Sequence, residues 1–153
     1  GCDERANIRQ YLVAMASYGA GMELGYVILY TADVESSVAF YERAFGLTRR
    51  FVSPDGDYGE LDTGATTLAM AAASLAAGNL ASAGGYTSLD PTSPPPGVSL
   101  TLVCDDVPTA LARALAAGAT AFVDTHEMPW GQTVAYVRDP DGVLVELATP
   151  VGP

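Results

Sequence analysis

Short segments rich in apolar, β-branched and aromatic residues occur eight times along this chain. Clusters of Gly, Pro, Asp, Thr and Ser separate many of them, and this arrangement is typical of strands joined by turns. The sequence therefore predicts eight strands. They cover residues 24–31, 47–53, 58–63, 67–73, 98–104, 119–125, 133–138 and 143–148.

Two longer segments have apolar residues at the spacing of a helix. The apolar stripe of the first helix consists of Val34, Val38, Tyr41 and Phe45. Asp33 can cap the amino end of this helix, and Gly46 can end it. Asp106 and Gly118 bound a second helix in the same way. Its stripe consists of Val107, Leu111, Ala114 and Leu115. Each helix has one apolar face and is expected to lie on a sheet.

The order of these elements repeats, because each half of the chain reads β-α-β-β-β. We predict an α+β fold with two modules, at about residues 24–83 and 98–149, within one domain of residues 22–153. The Pro- and Gly-rich segment 84–97 is the linker between them. Segment 71–83 is compatible with helix or coil, and residues 1–21 form an N-terminal extension of uncertain order.

The last two predicted strands form a hairpin around the turn Asp139-Pro140-Asp141-Gly142. Asp139 can accept hydrogen bonds from the backbone ahead of it, and Gly142 tolerates the positive φ that closes the turn. Glu146 interrupts the second, otherwise apolar strand. A carboxylate at such a position suggests either a binding role or a chemical one.

Charge and composition narrow the classes of partner. The chain of 153 residues has 7 Lys plus Arg against 18 Asp plus Glu, a formal charge of −11. This charge argues against nucleic acids and anionic membrane surfaces as partners. No segment reaches the roughly 20 apolar residues of a membrane-spanning helix. Cys2 and Cys104 do not suggest a disulfide framework, so a cytoplasmic location is expected.

The order of several motifs resembles the vicinal oxygen chelate superfamily, which includes glyoxalases, extradiol dioxygenases and bleomycin resistance proteins. The motifs are YVILYTADVESSVAFYERAFGL, YGELDTGATTLAMA, VSLTLVCDDVPTALARALAAGA and VAYVRDPDGVLVEL. They cover about residues 24–149. The resemblance implies paired βαβββ modules that form a curled, barrel-like mixed sheet with helices outside. It also implies a cavity often completed by a second subunit, hence a homodimer.

Active members of this superfamily hold a divalent metal at four strand positions. Carried over by position, these places fall on Tyr26, Ala69, Ser99 and Glu146, with Met70 replacing Ala69 if the register differs by one residue. Only Glu146 is an ordinary ligand for such metals. We therefore expect no metal and no other cofactor. The alternative is a site built from Glu60, His126 and Glu146.

These residues lead to two functional hypotheses. The first is metal-independent sequestration of a small cationic or aromatic molecule in the barrel cavity, as in bleomycin resistance proteins, with a role in antibiotic resistance. Aromatic faces and carboxylates attract such ligands. The candidate ligand-binding residues are Tyr26, Tyr30, Glu60, Ser99, Thr101, His126, Trp130, Tyr136 and Glu146. The alternative is a lyase, isomerase or oxygenase acting on a small oxygenated substrate. In that case Glu146 is a metal ligand, or a base whose pKa is raised by Leu144 and Val145.

Overall fold

The structure is a computed structural model that describes residues 21–152. The extension predicted at residues 1–21 therefore lies almost entirely outside the described residues. The first module contains five main elements in the predicted order. They are β1 (Tyr26–Thr31), α1 (Val34–Phe45), β2 (Thr48–Val52), β3 (Tyr58–Asp62) and β4 (Thr67–Ala72).

The second module repeats this order. Its elements are β5 (Ser99–Val103), α3 (Val107–Ala116), β6 (Thr120–Glu127), β7 (Thr133–Arg138) and β8 (Leu144–Ala148). Sheet A has the strand order β1-β4-β3-β2, and sheet B has the corresponding order β5-β8-β7-β6. In each sheet the first and last strands of the module are parallel and the other pairs are antiparallel. The predicted α+β class and the internal repeat are confirmed. The two sheets are separate and do not close into a barrel within the described chain.

Both long helices begin at the predicted caps. The Asp33 carboxylate accepts a hydrogen bond from the backbone N–H of Ser36 at 2.9 Å. The Asp106 carboxylate accepts from the N–H of Thr109 at 3.1 Å. Gly46 follows α1 with a φ of 68°, as a helix-ending glycine should. These local signals set where the two helices begin and where α1 ends.

The core lies where the two helices meet and where each contacts its own sheet. Side chains of α1, such as Val38 and Tyr41, belong to the same buried cluster as Met70 of sheet A. Val137 and Val145 of sheet B join this cluster. The helices therefore pack against each other and on one face of each sheet, and the other face of each sheet points away from them.

The uncertain segment after β4 is helical. It forms α2 (Ala73–Leu80) and a short 3-10 turn (Ala81–Ala83). No helix within residues 21–152 is long and apolar enough to cross a membrane.

Arg138 of β7 fixes the linker onto sheet B. Its guanidinium donates to the carbonyl oxygens of Asp90 at 3.1 Å, Pro91 at 3.0 Å and Ser93 at 2.6 Å. It also donates twice to the carbonyl of Gly142, at 3.0 and 2.8 Å. One side chain thus binds both the linker and the hairpin turn.

The hairpin turn also joins the two modules. Asp139 accepts from the backbone N–H groups of Asp141 and Val143, as predicted, at 2.9 and 2.8 Å. Its second oxygen accepts from the Tyr41 hydroxyl of α1 at 2.7 Å. The Thr31 hydroxyl of β1 donates to Asp141 at 2.6 Å.

Gly142 is needed for two reasons, and the substitution Gly142→Ala should lower the free energy of unfolding by about 3–5 kcal/mol. Its φ is 99°, and an added Cβ would lie 2.9 Å from the backbone of Pro91. Gly64→Ala is the matched control, because Gly64 has a φ of 94° and open space around it. The control should lose only about 1–2 kcal/mol, the cost of the backbone conformation. Urea unfolding measures both changes, and equal losses would show that the contact with Pro91 is unimportant.

Candidate functional site

The candidate site lies on the face of sheet B that points away from α3, here called the open face. Strand pairing places Thr101, Glu146, Tyr136 and Val123 side by side across the four strands. A neighbouring row contains Val103, Ala148, Val134 and His126. Alternation along β5, β7 and β8 puts both rows on the same face, and a register shift between Val123 and His126 keeps each opposite its partner on β7. Glu146 therefore lies on a middle strand of this face, beside Ala148 and Val134, which are buried.

Two hydroxyl groups hold the Glu146 carboxylate. One oxygen accepts from the Thr101 hydroxyl at 2.8 Å, and the other accepts from the Tyr136 hydroxyl. The hydrogen bond to Glu146 is the main cause that raises the pKa of Tyr136 above its usual range, with partial burial second. Tyr136 is therefore a stable hydrogen-bond donor at neutral pH, and it fixes the orientation of the carboxylate.

Accessible apolar side chains lie in and beside the row that holds this group, and an aromatic one lies on the loop between β6 and β7. Val103, in the row beside Glu146, is 64% exposed, and Val123 at the far end of the Glu146 row is also exposed. Trp130 is 60% exposed on the loop between β6 and β7, and its indole N–H donates to Gln132 at 2.9 Å. The open face thus combines a carboxylate with uncovered apolar surface.

Ser99 and His126 share the open face but do not contact Glu146. Ser99 lies opposite Leu144, at the start of β5. His126 lies opposite Val134 on the edge strand β6, and its Nδ1 is 2.9 Å from the Asp124 carbonyl oxygen. Both side chains are solvent-exposed, so they border the central group formed by Thr101, Tyr136 and Glu146.

Glu60 lies in the other sheet. It is 4% exposed, accepts from the Tyr58 hydroxyl at 2.9 Å, and lies 3.5 Å from the Arg50 guanidinium. Arg50 is next to a β-bulge in β2 that shifts the register between Arg49 and Phe51. Glu60 is thus a buried, paired carboxylate on sheet A. The pairing of Arg50 with Glu60 cannot be predicted from the sequence, because the bulge breaks the alternation of side chains along β2.

The two remaining tyrosines among the candidate ligand-binding residues, Tyr26 and Tyr30, also lie on sheet A. Tyr26 pairs with Thr67 at the start of the β1–β4 ladder. Tyr30 packs edge-on against Tyr86 of the linker, with 5.0 Å between ring centres. Tyr30 therefore has an aromatic neighbour within the chain and is not on the face that carries Glu146.

The residues at the family's metal places can be tested for fit. Ala69 lies between Ile28 and Glu60, whereas Met70 lies next to Leu29 on the helix side of sheet A. Ala69, rather than Met70, is therefore the residue at this metal position that shares a face with Tyr26. Alanine has no donor atom. Within the described part of the chain, no three His, Cys, Asp or Glu side chains are grouped closely enough to hold a metal ion. The donor set does not fit the divalent metal of the active family members.

Comparisons with solved structures show the same fold. A glyoxalase-related enzyme from Fulvimarina pelagi superposes with a TM-score of 0.70 at 22% identity, covering 85% of this chain and 89% of that chain. A glyoxalase/bleomycin resistance protein/dioxygenase family enzyme from Burkholderia phytofirmans PsJN gives 0.69 at 24% identity, covering 84% and 98%. A lactoylglutathione lyase from Agrobacterium tumefaciens gives 0.62 at 21% identity, covering 86% and 95%.

Sequence comparison identifies the family. No curated protein matches the chain significantly. The profile of the Glyoxalase/Bleomycin resistance protein/Dioxygenase superfamily, however, matches residues 23–147, which include both modules and the hairpin with Glu146. The chain therefore belongs to the glyoxalase/bleomycin resistance protein/dioxygenase superfamily.

Proposed function

We propose that this protein binds and sequesters a small cationic or aromatic molecule on the open face of sheet B, without a catalytic metal. The main observation that supports this proposal is the Glu146 carboxylate, which two hydroxyls orient on the open face. This arrangement can attract a cation and does not need a metal to keep the carboxylate in place.

Three features support a cationic or aromatic ligand. Glu146 supplies a fixed negative charge, and the formal charge of −11 adds attraction of the same sign. Trp130, on the loop between β6 and β7, presents its ring to solvent. A cation over such a ring gains about 0.5–2 kcal/mol. Exposed valines beside Glu146 can cover the apolar part of a ligand. Sequestration of an antibiotic in the cytoplasm is the role we propose.

A second copy of the chain is part of this proposal. Binding pockets usually cover most of a small ligand, at least about 70% of its surface. In one chain α1 and α3 lie on the opposite sides of the two sheets, and the linker held by Arg138 covers one end of the open face, whereas Val103 and Val123 stay exposed. A homodimer that places another sheet over this face would supply the missing wall. Tyr26, on sheet A, would then contribute from the partner, whereas Glu60 is buried and paired within its own chain.

One observation favours a second candidate function. Glu146 is at a family metal place, and one structural neighbour is named a lactoylglutathione lyase. A lyase, isomerase or oxygenase reaction could then use Glu146 as a base or as a metal ligand, with Tyr136 as its hydrogen-bond donor. Metal analysis of the purified protein separates the two candidates. Stoichiometric zinc, nickel or iron would favour the enzyme and reverse our ranking.

Binding can be tested with Trp130, the only tryptophan in the chain. We expect ethidium or acriflavine to quench its fluorescence saturably and to raise the unfolding temperature. Glu146→Gln should weaken binding about tenfold, because it removes the charge but keeps the side-chain shape. Glu35→Gln is the control, since this exposed residue lies on α1, away from the open face. Equal weakening by both variants, or no quenching by any cationic or neutral aromatic compound, would refute the proposal.

A further inference from the structure

A cleft of about 660 Å³ lies between the two modules, along the edge strand β5. Its apolar walls come from the end of α1 and from sheet B. Its lining includes Phe45, Leu47, Leu102, Cys104, Leu147 and Arg113. Leu102 and Leu147 belong to the small buried cluster against α3, on the opposite side of sheet B from Glu146. Thr101 and Val103 of β5 also border the cleft, so it adjoins the open face along this edge strand, but Glu146 is not among its lining residues. Its volume is in the usual range for small-molecule pockets.

Arg113 gives this cleft a positive charge. Its Nε donates to the Arg43 carbonyl oxygen at 2.8 Å, and its Nη2 lies 3.4 Å from the Glu42 carbonyl oxygen. These contacts anchor the guanidinium at the end of α1. Gly46 permits the approach, because an added Cβ there would lie 2.9 Å from Nη1. Three of the five guanidinium N–H donors remain without a protein acceptor among residues 21–152.

Arg113 differs from the other arginines of residues 21–152 in its pairing or in its position. Arg43 forms no ion pair either, but it is exposed on α1 and does not line the cleft. Arg49 and Arg50 form ion pairs with carboxylates, and the Arg138 guanidinium donates to four carbonyl oxygens. Within the described chain, Arg113 has no carboxylate within ion-pair distance. The carboxylate of Asp106 also borders the cleft, and both of its oxygens accept hydrogen bonds from Thr109. Arg113 is thus a cation beside an apolar cavity, anchored by carbonyl groups and available to an anion.

We propose that this cleft binds a small organic carboxylate of about ten to twenty non-hydrogen atoms, most of them in an apolar body. The carboxylate lies on the Arg113 guanidinium, which can donate two parallel hydrogen bonds to it. The apolar body lies against Phe45, Leu102 and Leu147. The Cys104 thiol lines the same cavity, so a bound ligand covers it.

Protection of Cys104 from alkylation tests this proposal without relying on any activity. Cys2, the only other cysteine, is first replaced by serine. Iodoacetamide then reacts with Cys104 in the presence of octanoate, octylamine or octanol, and mass spectrometry gives the rates. Octanoate at 10 mM should slow alkylation about tenfold if its Kd is about 1 mM. Octylamine and octanol, which have the same apolar chain, should protect much less.

Two variants identify the site. Arg113→Gln should weaken octanoate binding by at least about fivefold, whereas Arg43→Gln, which removes the same charge outside the cleft, should not. If Arg113→Gln lowers stability, Ala110→Leu is the second variant, because it fills the cleft and keeps Arg113. Each rate is compared with and without octanoate in the same variant. Absence of protection by octanoate, equal protection by octylamine, or unchanged protection in Ala110→Leu would overturn the proposal.

Discussion

Replacement of Arg138 by leucine is expected to lower the free energy of unfolding by about 3–5 kcal/mol. The Arg138 side chain is 8% exposed and donates to the carbonyls of Gly142 and of three linker residues. Removal of the guanidinium leaves these oxygens to find water in a largely buried place, and each unsatisfied group costs about 1–3 kcal/mol. Urea unfolding followed by circular dichroism measures the loss.

The same variant should expose the linker before the whole protein unfolds. Segment 84–97 should become much more sensitive to limited proteolysis at a urea concentration where the sheets are still intact. Arg43→Leu is the control, because Arg43 is an exposed arginine on α1, and it should change stability by less than about 0.5 kcal/mol. A loss of that small size in Arg138→Leu would mean that the carbonyl contacts do not stabilise the fold.

Asp139→Ala is expected to lower the free energy of unfolding by about 2–4 kcal/mol. Asp139 is 2% exposed and accepts three hydrogen bonds, from the hydroxyl of Tyr41 and from the N–H groups of Asp141 and Val143. The alanine variant leaves all three donors without their acceptor. Tyr41→Phe removes only the contact between modules and should cost about 1–2 kcal/mol.

The contribution of Asp139 should also depend on pH. Burial raises the pKa of this carboxyl above its ordinary value. A raised folded-state pKa means that the folded protein binds the proton more tightly than the unfolded chain does. The resulting stability is present below the unfolded pKa and is lost as pH rises through the folded pKa. The wild-type protein should therefore gain stability relative to Asp139→Asn as pH falls from 7 towards 4. A difference that is constant over this range would contradict the assignment.

Features that depend only on residues close together in the chain can be predicted from the sequence. Asp33 and Asp106 cap their helices, and Gly142 closes the hairpin, because caps and turns are determined by local hydrogen bonds and backbone angles. Alternation along β7 and β8 also placed Tyr136 and Glu146 on faces that the hairpin then brought together. These predictions needed no knowledge of how the modules pack.

Contacts between distant segments could not be predicted in this way. The pattern identified Asp139 as a turn former, but nothing local indicates its contact with Tyr41, which is 98 positions away. Segment 84–97 was recognised by its composition, yet its attachment to Arg138 depends on the path of the linker across sheet B. Glu60 was a candidate for ligand binding, and its pairing with Arg50 depends on a bulge. The alternation of β3 and β2 could not reveal that pairing.

The way Arg138 holds the linker has a consequence for the evolution of this chain. The guanidinium contacts the main-chain oxygens of residues 90, 91 and 93, and every amino acid supplies such an oxygen. Linker residues can therefore change identity without loss of this attachment, whereas position 138 needs a side chain with several donors in a fixed plane. In related sequences, the anchor should vary slowly and the segment it holds should vary quickly.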